Sequence, residues 1–256
     1  MKIGLIGAGA LGEYLLEEQG KYGYEVVAVL VRNQEKYEGL ARAYGVELFH
    51  DVTAFLQADF DCVVEVAGVP AARAYGVQAA KEKDVLIISI GAFADAEFAQ
   101  QIELAAKEHH HTIYLPSGAI GGLDTVQNAR DTKQLEYVMI KTRKPANSLV
   151  DEPITEEQVV FDGIAKDAIA LFPKNVNISI ALSLAGLGVD ETLVRLIADP
   201  HIQTNQHEIT VKGPFGQAIF QLTNEPLPSN PKSSYITAMS IIGTLERMQR
   251  TIRIGS

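Results

Sequence analysis

The feature that most constrains the fold of this chain is a glycine pattern near its start, within KIGLIGAGALGEYLLEE at positions 2–18. A short β-type run precedes the spacing G-x-G-x-x-G, and a helical pattern follows it. In this context Gly7 permits a tight turn, Gly9 lets a pyrophosphate approach the backbone, and Gly12 lets the helix approach the strand. The helix N-terminus adds free N–H groups and the positive end of a dipole. The stretch therefore predicts a dinucleotide-binding strand, turn and helix.

The rest of the first half alternates between buried strands and helical patterns. The runs YEVVAVLVRN, DCVVEVAG and DVLIISIGA are nearly continuously apolar, which is typical of strands covered on both faces of a parallel sheet. The helical patterns PAARAYGVQAAKEK and ADAEFAQQIELAAKEHHH follow two of them. This order predicts a Rossmann-type doubly wound parallel sheet whose ligand lies beyond the carboxyl ends of the strands. The predicted cofactor contacts in this half are Gly7, Gly9, Ala10, Leu11, Gly12, Ala67, Gly68, Gly91 and Ala92.

The end of the second strand bears on the choice of dinucleotide. An NAD enzyme usually carries an acid there to accept hydrogen bonds from the ribose hydroxyls. This chain has Val31, Arg32 and Asn33 instead. Because an arginine at this point can pair with a 2′-phosphate, Arg32 favours NADP, or the use of both dinucleotides, over strict use of NAD. The alternative is that Arg32 is a solvated surface charge.

From about residue 111 the alternation gives way to strands joined by short turns. LEYVMIKTRK, TLVRLIADP, HEITVKG and QAIFQLT have the pattern of strands, and NVNISIALSLAGLG that of an apolar helix. They predict a second, α+β domain built on a mixed or antiparallel sheet. The predicted boundaries are 1–110 for the dinucleotide-binding domain and 111–230 for the substrate domain. A final amphipathic helix at 231–250 is expected to pack back on the first domain.

Glycines, histidines and a cysteine in these segments are further candidates for chemistry. Gly118, Gly121 and Gly122 form a loop, and glycines at this density allow a ligand to approach the backbone closely. The three histidines at 109–111 cannot converge on one ion, because consecutive side chains point in different directions. No metal site is expected from them. Cys62 lies within an apolar strand and is expected to be a core residue.

Composition narrows the classes of partner. The net charge of −10 and the pI near 5.1 disfavour a nucleic-acid surface, because a phosphate backbone would be repelled. A single cysteine allows no disulfide within the chain, which favours a reducing cytoplasm. The first residues lack the order of a signal peptide, and the longest apolar run, ISIALSLAGLGV, is too short to span a bilayer. We therefore expect a soluble protein that acts on small molecules, without a membrane or nucleic-acid partner.

Four phrases coincide in this chain: GAFAD at 91–95, PSGAIGGLD at 116–124, FPKNVN at 172–177 and ADPHIQTNQHE at 198–208. With the glycine motif, and in their order and spacing, they resemble the L-aspartate dehydrogenase family over essentially the whole chain. The resemblance implies a homodimer or larger homo-oligomer that reversibly oxidises L-aspartate to iminoaspartate with NAD or NADP. The imine then hydrolyses to oxaloacetate and ammonia, and the family is tied to the start of NAD biosynthesis.

The resemblance also implies roles for single residues. Its Asn-x-His pattern falls on Asn205 and His207, which makes His207 the catalytic candidate and Asn205 a substrate contact, whereas His201 is a turn residue. A base with a pKa near neutrality suits the chemistry, because the ammonium must lose a proton before hydride leaves and water must then be activated. The alternative for His207 is a hydrogen bond at a strand start. Ala119 and Asn177 match the family's dinucleotide contacts, and Asn177 could instead cap its helix.

The two carboxylates of aspartate require cationic or amide partners. On grounds of charge, the further substrate candidates are Lys174 and Lys232. The missing acid at the end of the second strand departs from many relatives and affects only the choice of cofactor. Two rival functions stay open: a dehydrogenase or reductase of another small amino or keto acid, and a non-catalytic NADP-binding redox sensor. The second rival is opposed only by His207 and the matched phrases.

Overall fold

The structure, a computed structural model, describes residues 1–172, 177–228, 230–252 and 254, and the side chains at 230–232 also lie outside the description. Contacts between residues divide the chain into two compact units. The N-terminal unit comprises Met1–Gly118 and Thr237–Ile254, and the second unit comprises Ala119–Ile236. The division therefore falls after Gly118, somewhat later than the boundary near residue 110 that the sequence suggests.

The N-terminal unit is a doubly wound parallel sheet, as the alternating pattern predicts. Its elements are β1 (Lys2–Ile6), α1 (Ala10–Glu18), β2 (Glu25–Leu30), α2 (Glu38–Tyr44), β3 (Glu47–Phe49), α3 (Val52–Leu56), β4 (Cys62–Glu65), α4 (Val69–Glu82), β5 (Asp84–Ile87), α5 (Ala96–His109) and β6 (Ile113–Tyr114). The strand order is β3-β2-β1-β4-β5-β6, and every pairing is parallel. The strand order reverses beside β1, so the carboxyl ends of β1 and β4 border the crevice where such sheets bind ligands.

The second unit is built on a mixed sheet. Its elements, with the helix that leads back to the first unit, are α6 (Leu123–Asp131), β7 (Tyr137–Pro145), β8 (Gln158–Ile164), α7 (Ala165–Leu171), α8 (Asn177–Ala185), β9 (Leu193–Asp199), β10 (Asn205–Gly213), β11 (Gly216–Asn224), β12 (Pro226–Leu227), β13 (Asn230–Ser234) and α9 (Tyr235–Gln249). The order of the main sheet is β11-β10-β7-β9-β8, in which only β7 and β9 run parallel. The predicted α+β fold on a mixed sheet is confirmed.

The core of the N-terminal unit lies on both faces of its sheet. Along β4, Val63 and Val64 are both fully buried and belong to opposite core clusters, because successive strand residues point to opposite faces. The cluster on the face of Val64 includes Ile241 and Leu245 of α9. Cys62 is 1% exposed within this cluster. Burial on both faces is the reason that these strands appear in the sequence as unbroken apolar runs.

The second sheet has two chemically different faces. On β7 and β10 the residues Ile140 and Ile209 are fully buried and paired in register, and with their alternate neighbours they define the inner face. Lys141 and Glu208, one position along each strand, lie on the other side, which we call the outer face. The inner face is covered by helices, since Gly186, just after α8, lies against Val126 of α6 and Val138 of β7. Within the described ranges no helix is both long and apolar enough to cross a membrane.

Candidate functional site

The turn after β1 has the geometry of a dinucleotide-binding loop. Gly7 has φ +101°, and a Cβ added there would lie 2.7 Å from the Cβ of Ala67. Its N–H donates to the carbonyl of Leu30 at 3.0 Å, which ties the turn to the end of β2. A side chain at this position would be strained by its φ and would also collide with the loop after β4. The residue must therefore be glycine.

The two other motif glycines differ in what surrounds them. A Cβ on Gly12 would lie 2.7 Å from the carbonyl oxygen of Gly7, so this glycine is needed for close contact between helix and strand. Gly9, the N-cap of α1, has nothing within 4 Å of an added Cβ and is exposed. Among described residues no side chain caps this helix. Its first N–H groups therefore face open space of the kind a pyrophosphate requires, and the loop fits a dinucleotide.

A buried carboxylate holds two strand ends together beside this loop. Glu65, the last residue of β4, is 1% exposed and accepts hydrogen bonds from the N–H groups of Ala67 and Gly68, both at 2.8 Å. It also accepts from the N–H of Ser89 at 3.2 Å and from its hydroxyl at 3.1 Å. Burial raises the pKa of Glu65, and the four hydrogen bonds act in the opposite direction. A charged residue inside the run DCVVEVAG was a signal for this role that the sequence analysis missed.

The remaining residues of this unit that are predicted to contact the cofactor differ in position and in burial. Ala10 and Leu11 form the first turn of α1. Gly91 and Ala92 lie in a 3-10 turn, Ile90–Ala94, and Ala92 is fully buried in the core. Arg32 is exposed just beyond β2, two residues after Leu30, whose carbonyl accepts the N–H of Gly7. Only Arg32 of this group brings a charge to the end of β2.

His207 projects from the inner face of the second sheet. It pairs in register with Thr142 of β7 and Leu222 of β11, and the residue is 4% exposed. The Nδ1 atom lies 3.1 Å from the hydroxyl oxygen of Thr142, which is itself fully buried. The imidazole is therefore oriented by a hydrogen bond from the adjacent strand, and the tautomer determines which partner donates.

The acid–base state of His207 differs from the expectation of a near-neutral pKa. Burial, and secondarily the ammonium of Lys144, lowers the pKa of His207 to about 4. Both causes act against the imidazolium, one by removing water and the other by repulsion. At neutral pH the ring is therefore the uncharged imidazole, which is the form that can accept a proton.

The glycine-rich loop at 118–122 lies along β11, beside the strand of His207. Asn224, at the end of β11 and 3% exposed, donates from Nδ2 to the carbonyl of Ala119 at 3.0 Å. An added Cβ on Gly122 would lie 2.5 Å from the ring of Phe220, and Gly122 has φ +78°. Phe220 and Asn224 share a face of β11 because they are separated by an even number of positions. The loop residue Ala119 is thus held against the inner face.

A row of polar side chains crosses the inner face one step beyond His207. Asn205 precedes His207 by two residues on β10 and pairs in register with Asn224 of β11. Lys144 follows Arg143, the register partner of Gln206, and so stands opposite Asn205 on β7. At this edge of the inner face, two amides and one ammonium therefore follow the apolar core residues. We call these three residues the polar row: Asn224, Asn205 and Lys144. The sequence pattern predicted Asn205 alone among them.

Several other predicted residues lie apart from this row or outside the description. Lys174 lies outside the described residues, and so does the side chain of Lys232, whose backbone belongs to β13. Asn177 is exposed at the first residue of α8. His201 lies in the turn after β9, where its N–H donates to Asp199 at 2.8 Å. The role of His201 in the turn therefore involves its backbone.

The outer face carries ion pairs around a shallow cavity of about 370 Å³. Lys141 and Glu208 approach to 2.8 Å, and Arg143 lies 2.9 Å from Asp199. His207 also borders this cavity. Its ring is hydrogen-bonded to Thr142 on the inner face, so His207 lines the cavity with its backbone. Among the residues that the structure describes, no cluster of three or more His, Cys, Asp or Glu side chains is suited to a metal ion.

Two family models match this chain, and the boundary between the matches lies near Gly118, where the first unit gives way to the second. Residues 3–116 match the family model for the NAD-binding domain of homoserine dehydrogenase, and residues 124–248 match the model for the C-terminal part of aspartate dehydrogenase. Curated L-aspartate dehydrogenases from Methanosarcina mazei and Methanocella arvoryzae are 35% and 37% identical to this chain. The matches cover 100% of this chain, and 100% and 99% of those proteins.

Solved structures agree with these matches. The crystal structure of aspartate dehydrogenase from Thermotoga maritima superposes with a TM-score of 0.81 at 29% identity and covers 99% of both chains. A homoserine dehydrogenase from Thiobacillus denitrificans reaches a TM-score of 0.58 at 15% identity, covering 96% of this chain and 72% of its own. The second likeness shows the fold alone, whereas the first extends along the whole chain with related sequence.

Proposed function

The chain belongs to the L-aspartate dehydrogenase family, and from that premise we propose that it oxidises L-aspartate to iminoaspartate with a pyridine nucleotide. The observation that carries the proposal is the position of His207, hydrogen-bonded to Thr142 and flanked by the polar row. That arrangement offers a neutral base beside groups able to hold a carboxylate. The match of the N-terminal unit to an NAD-binding domain supplies the cofactor class.

His207 is the proposed general base. In the productive tautomer its Nδ1–H donates to the Thr142 hydroxyl, which leaves the lone pair of Nε2 as the acceptor. Nε2 takes one proton from the substrate ammonium, and the hydrogen on Cα then leaves with its electron pair as the C=N bond forms. When bound, the pyridine nucleotide accepts that hydride. The imidazolium then gives that proton to solvent, and the neutral imidazole takes a proton from a water that adds to the imine carbon. Transfer of this second proton to the amino group lets it leave as ammonia and yields oxaloacetate.

The loop residues of the second unit are proposed to position the cofactor. Asn224 restrains Ala119 by its hydrogen bond to the backbone carbonyl, so Ala119 has a defined position against the inner face. Asn177, exposed at the start of α8, is the second proposed contact of this unit. Both assignments rest on the family pattern, and the restrained loop supports the first of them. In the N-terminal unit, the open space at Gly9 supports binding of the pyrophosphate.

We propose that NADP, or both dinucleotides, serve this protein. The support is the exposed guanidinium of Arg32 just after β2, where the sequence has Val31, Arg32 and Asn33 in place of the usual acid. Replacing Arg32 by Asp should raise the Kd of NADP about 10- to 100-fold, because a charge-assisted pair with the 2′-phosphate is lost. The Kd of NAD should change less than about threefold on the same grounds. Fluorescence titration of both dinucleotides measures the difference.

A matched control for the arginine is available in the same unit. Arg42 is exposed on α2 and forms a distant pair with Glu38 at 3.9 Å. Arg42→Asp changes the net charge by the same amount and should alter neither Kd beyond the general electrostatic effect. Equal weakening of NADP and NAD by Arg32→Asp would show that Arg32 does not read the 2′-phosphate.

We also propose a homodimer that acts in the cytoplasm. Val159 and Ile219 lie on the outer face of the second sheet, each 52% exposed, and supply apolar surface for a second copy. The only cysteine, Cys62, is a buried thiol, which suits a reducing compartment. Light scattering coupled to gel filtration measures the mass, and a monomer at micromolar concentration would contradict the dimer.

A spectrophotometric assay tests the reaction itself. Purified protein with L-aspartate and NAD or NADP should produce the reduced dinucleotide, followed at 340 nm, and oxaloacetate and ammonia should accumulate in equal amounts. Glutamate, alanine and homoserine are the comparison substrates. Turnover of any of these well above that of aspartate would refute the proposed substrate. Binding of dinucleotide without turnover of any of them would favour the redox-sensor alternative.

A further inference from the structure

On the inner face of the second sheet, a lysine side chain, Lys144, lies where the apolar core residues end. Lys144 is half-buried on β7, two residues beyond Thr142, and its register partner on β9 is Ala198, a small residue that is fully buried. Residues two apart on a strand share a face and stand about 7 Å apart. The Lys144 side chain therefore starts one step from Thr142, the hydrogen-bond partner of His207.

The ammonium of Lys144 is close enough to His207 to act on the charge of its ring. Lys144 is the charged group whose field lowers the pKa of His207, and burial lowers the pKa of Lys144 itself. Desolvation of an ammonium is costly, and an anionic ligand bound beside it would stabilise the charged form. Groups with perturbed pKa values cluster at functional sites, and a cation among them attracts an anionic ligand.

The other lysines of this sheet are placed differently. Lys141 lies on the same strand but on the outer face, paired with Glu208 at 2.8 Å. Lys212 stacks over the ring of Tyr137 at 4.9 Å, at the far end of the same pair of strands. Neither lysine lies on the inner face, where His207 is. Among the described lysines of β7 and β10, Lys144 is therefore the one that the register brings to the polar row.

We propose that Lys144 is the residue that binds a carboxylate of the substrate, with Asn205 beside it. The inference rests on the proposed function, since it assumes a dicarboxylic amino acid as substrate. An ammonium one row from His207 would hold the substrate so that its amino group faces the imidazole. Lys144 would thereby determine both affinity for aspartate and the distance between the proton donor and Nε2.

The test measures steady-state kinetics of single variants of the full-length protein. Lys144→Met keeps the length of the side chain and removes the charge. It should raise KM for L-aspartate and lower kcat/KM about 10- to 100-fold, the usual effect of losing a hydrogen bond to a charged group. KM for the dinucleotide should stay within about twofold, because the lysine acts on the substrate alone. Lys144→Arg should recover part of the loss, since it restores a cation.

Lys141→Met is the matched control, with the same substitution on the same strand and the opposite face. Its KM for L-aspartate should remain within about twofold of the unaltered protein. If Lys144→Met does not fold, as judged by its circular dichroism and thermal transition, Lys144→Gln provides the neutral variant in its place. A binding titration of L-aspartate into protein loaded with the reduced dinucleotide adds a readout that needs no turnover.

The outcomes separate the inference from the proposed function. A folded Lys144→Met or Lys144→Gln protein with unchanged KM and Kd for L-aspartate overturns the role of Lys144 and leaves the reaction intact. An unaltered protein that neither binds nor oxidises L-aspartate overturns the proposed function, and the role of Lys144 with it. Equal losses in Lys144→Met and Lys141→Met would show a general effect of charge and would also refute the inference.

Discussion

The two faces of the second sheet use alternate residues of the same strands for opposite purposes. His207 and Glu208 are consecutive on β10, yet the first is 4% exposed beside Thr142 and the second pairs with Lys141 at the surface. On the inner face burial lowers the pKa of His207 to about 4. On the outer face hydrogen bonds from Lys141 and Gln221 lower the pKa of Glu208.

The contrast shows that the surroundings, and not the residue type, determine the chemistry of each face. On the outer face, hydrogen bonds between opposite charges lower the pKa of Glu208 and raise that of Arg143, which favours the ionised form of each. Inner-face groups have lost water, so the imidazole is neutral and the ammonium is destabilised. The inner face therefore places a neutral base and a desolvated ammonium one step apart along the sheet.

The largest expected effect comes from removing the inner-face imidazole. His207→Ala should lower kcat about 10²- to 10⁴-fold, the usual contribution of a general acid or base, while the Kd of the dinucleotide changes little. Stopped-flow and steady-state assays at saturating L-aspartate measure kcat. Gln206→Ala, one position earlier and on the outer face, is the control. An unchanged kcat in His207→Ala would remove this residue from the mechanism.

The second expected effect is on the free energy of unfolding, and it follows from the burial of the His207 ring. The pKa of His207 is about 4 in the folded protein, compared with about 6.5 for an unperturbed histidine. Between these values the unfolded chain binds a proton that the folded chain does not. The free energy of unfolding should therefore fall by about 3 kcal/mol as pH drops from about 6.5 to about 4, and above that window the residue contributes no slope.

Urea unfolding at several pH values from 7 to 4 measures this slope. The comparison variant is His207→Gln, which keeps a polar side chain but does not titrate in the window. Its free energy of unfolding should decline less steeply with falling pH than that of the unaltered protein. Parallel curves for the two proteins would show that the histidine is as accessible to protons in the folded state as in the unfolded one.

The smallest effect is expected on the outer face. Glu208→Gln removes the ion pair with Lys141. The side chains of Glu208 and Lys141 are 29% and 33% exposed. The free energy of unfolding should change by less than about 1 kcal/mol, and kcat should stay within about twofold. Thermal melts and the assay at 340 nm measure both. A tenfold loss of kcat here would mean that the two faces are not functionally separate.

Much of the N-terminal unit could be predicted because its determinants are local. The glycine spacing, the apolar runs and the helical patterns each lie within about twenty residues, and β1, β2, β4 and β5 all fall inside predicted strands. The short strand β3 and the helices α2 and α3 were not identified, since each is brief and lacks a strong apolar period. The position of β3 is determined by its parallel pairing with β2, which no pattern within the short strand itself specifies.

The candidate site in the second unit was predicted less completely. Asn205, His207 and Ala119 were found through the family pattern, whereas Thr142, Lys144 and Asn224 were not. The stretch LEYVMIKTRK has no alternation strong enough to assign Thr142 and Lys144 to one face. Their neighbours on that face come from β10, about 60 residues later, so the register of the strands had to be known first. For the same reason the sequence did not show that Phe220 packs against Gly122 and leaves no space for a side chain there.

The sequence by itself determined the nucleotide-binding turn, because Gly7, Gly9 and Gly12 act on a backbone only a few residues long. It also identified the family and the catalytic candidate. Only the tertiary structure decided which charges lie on the exposed outer face and which are desolvated on the inner face. Strand pairing brings Lys144 and Thr142 to the face of His207 and leaves Lys141 on the other, and a shift of one residue would reverse that assignment.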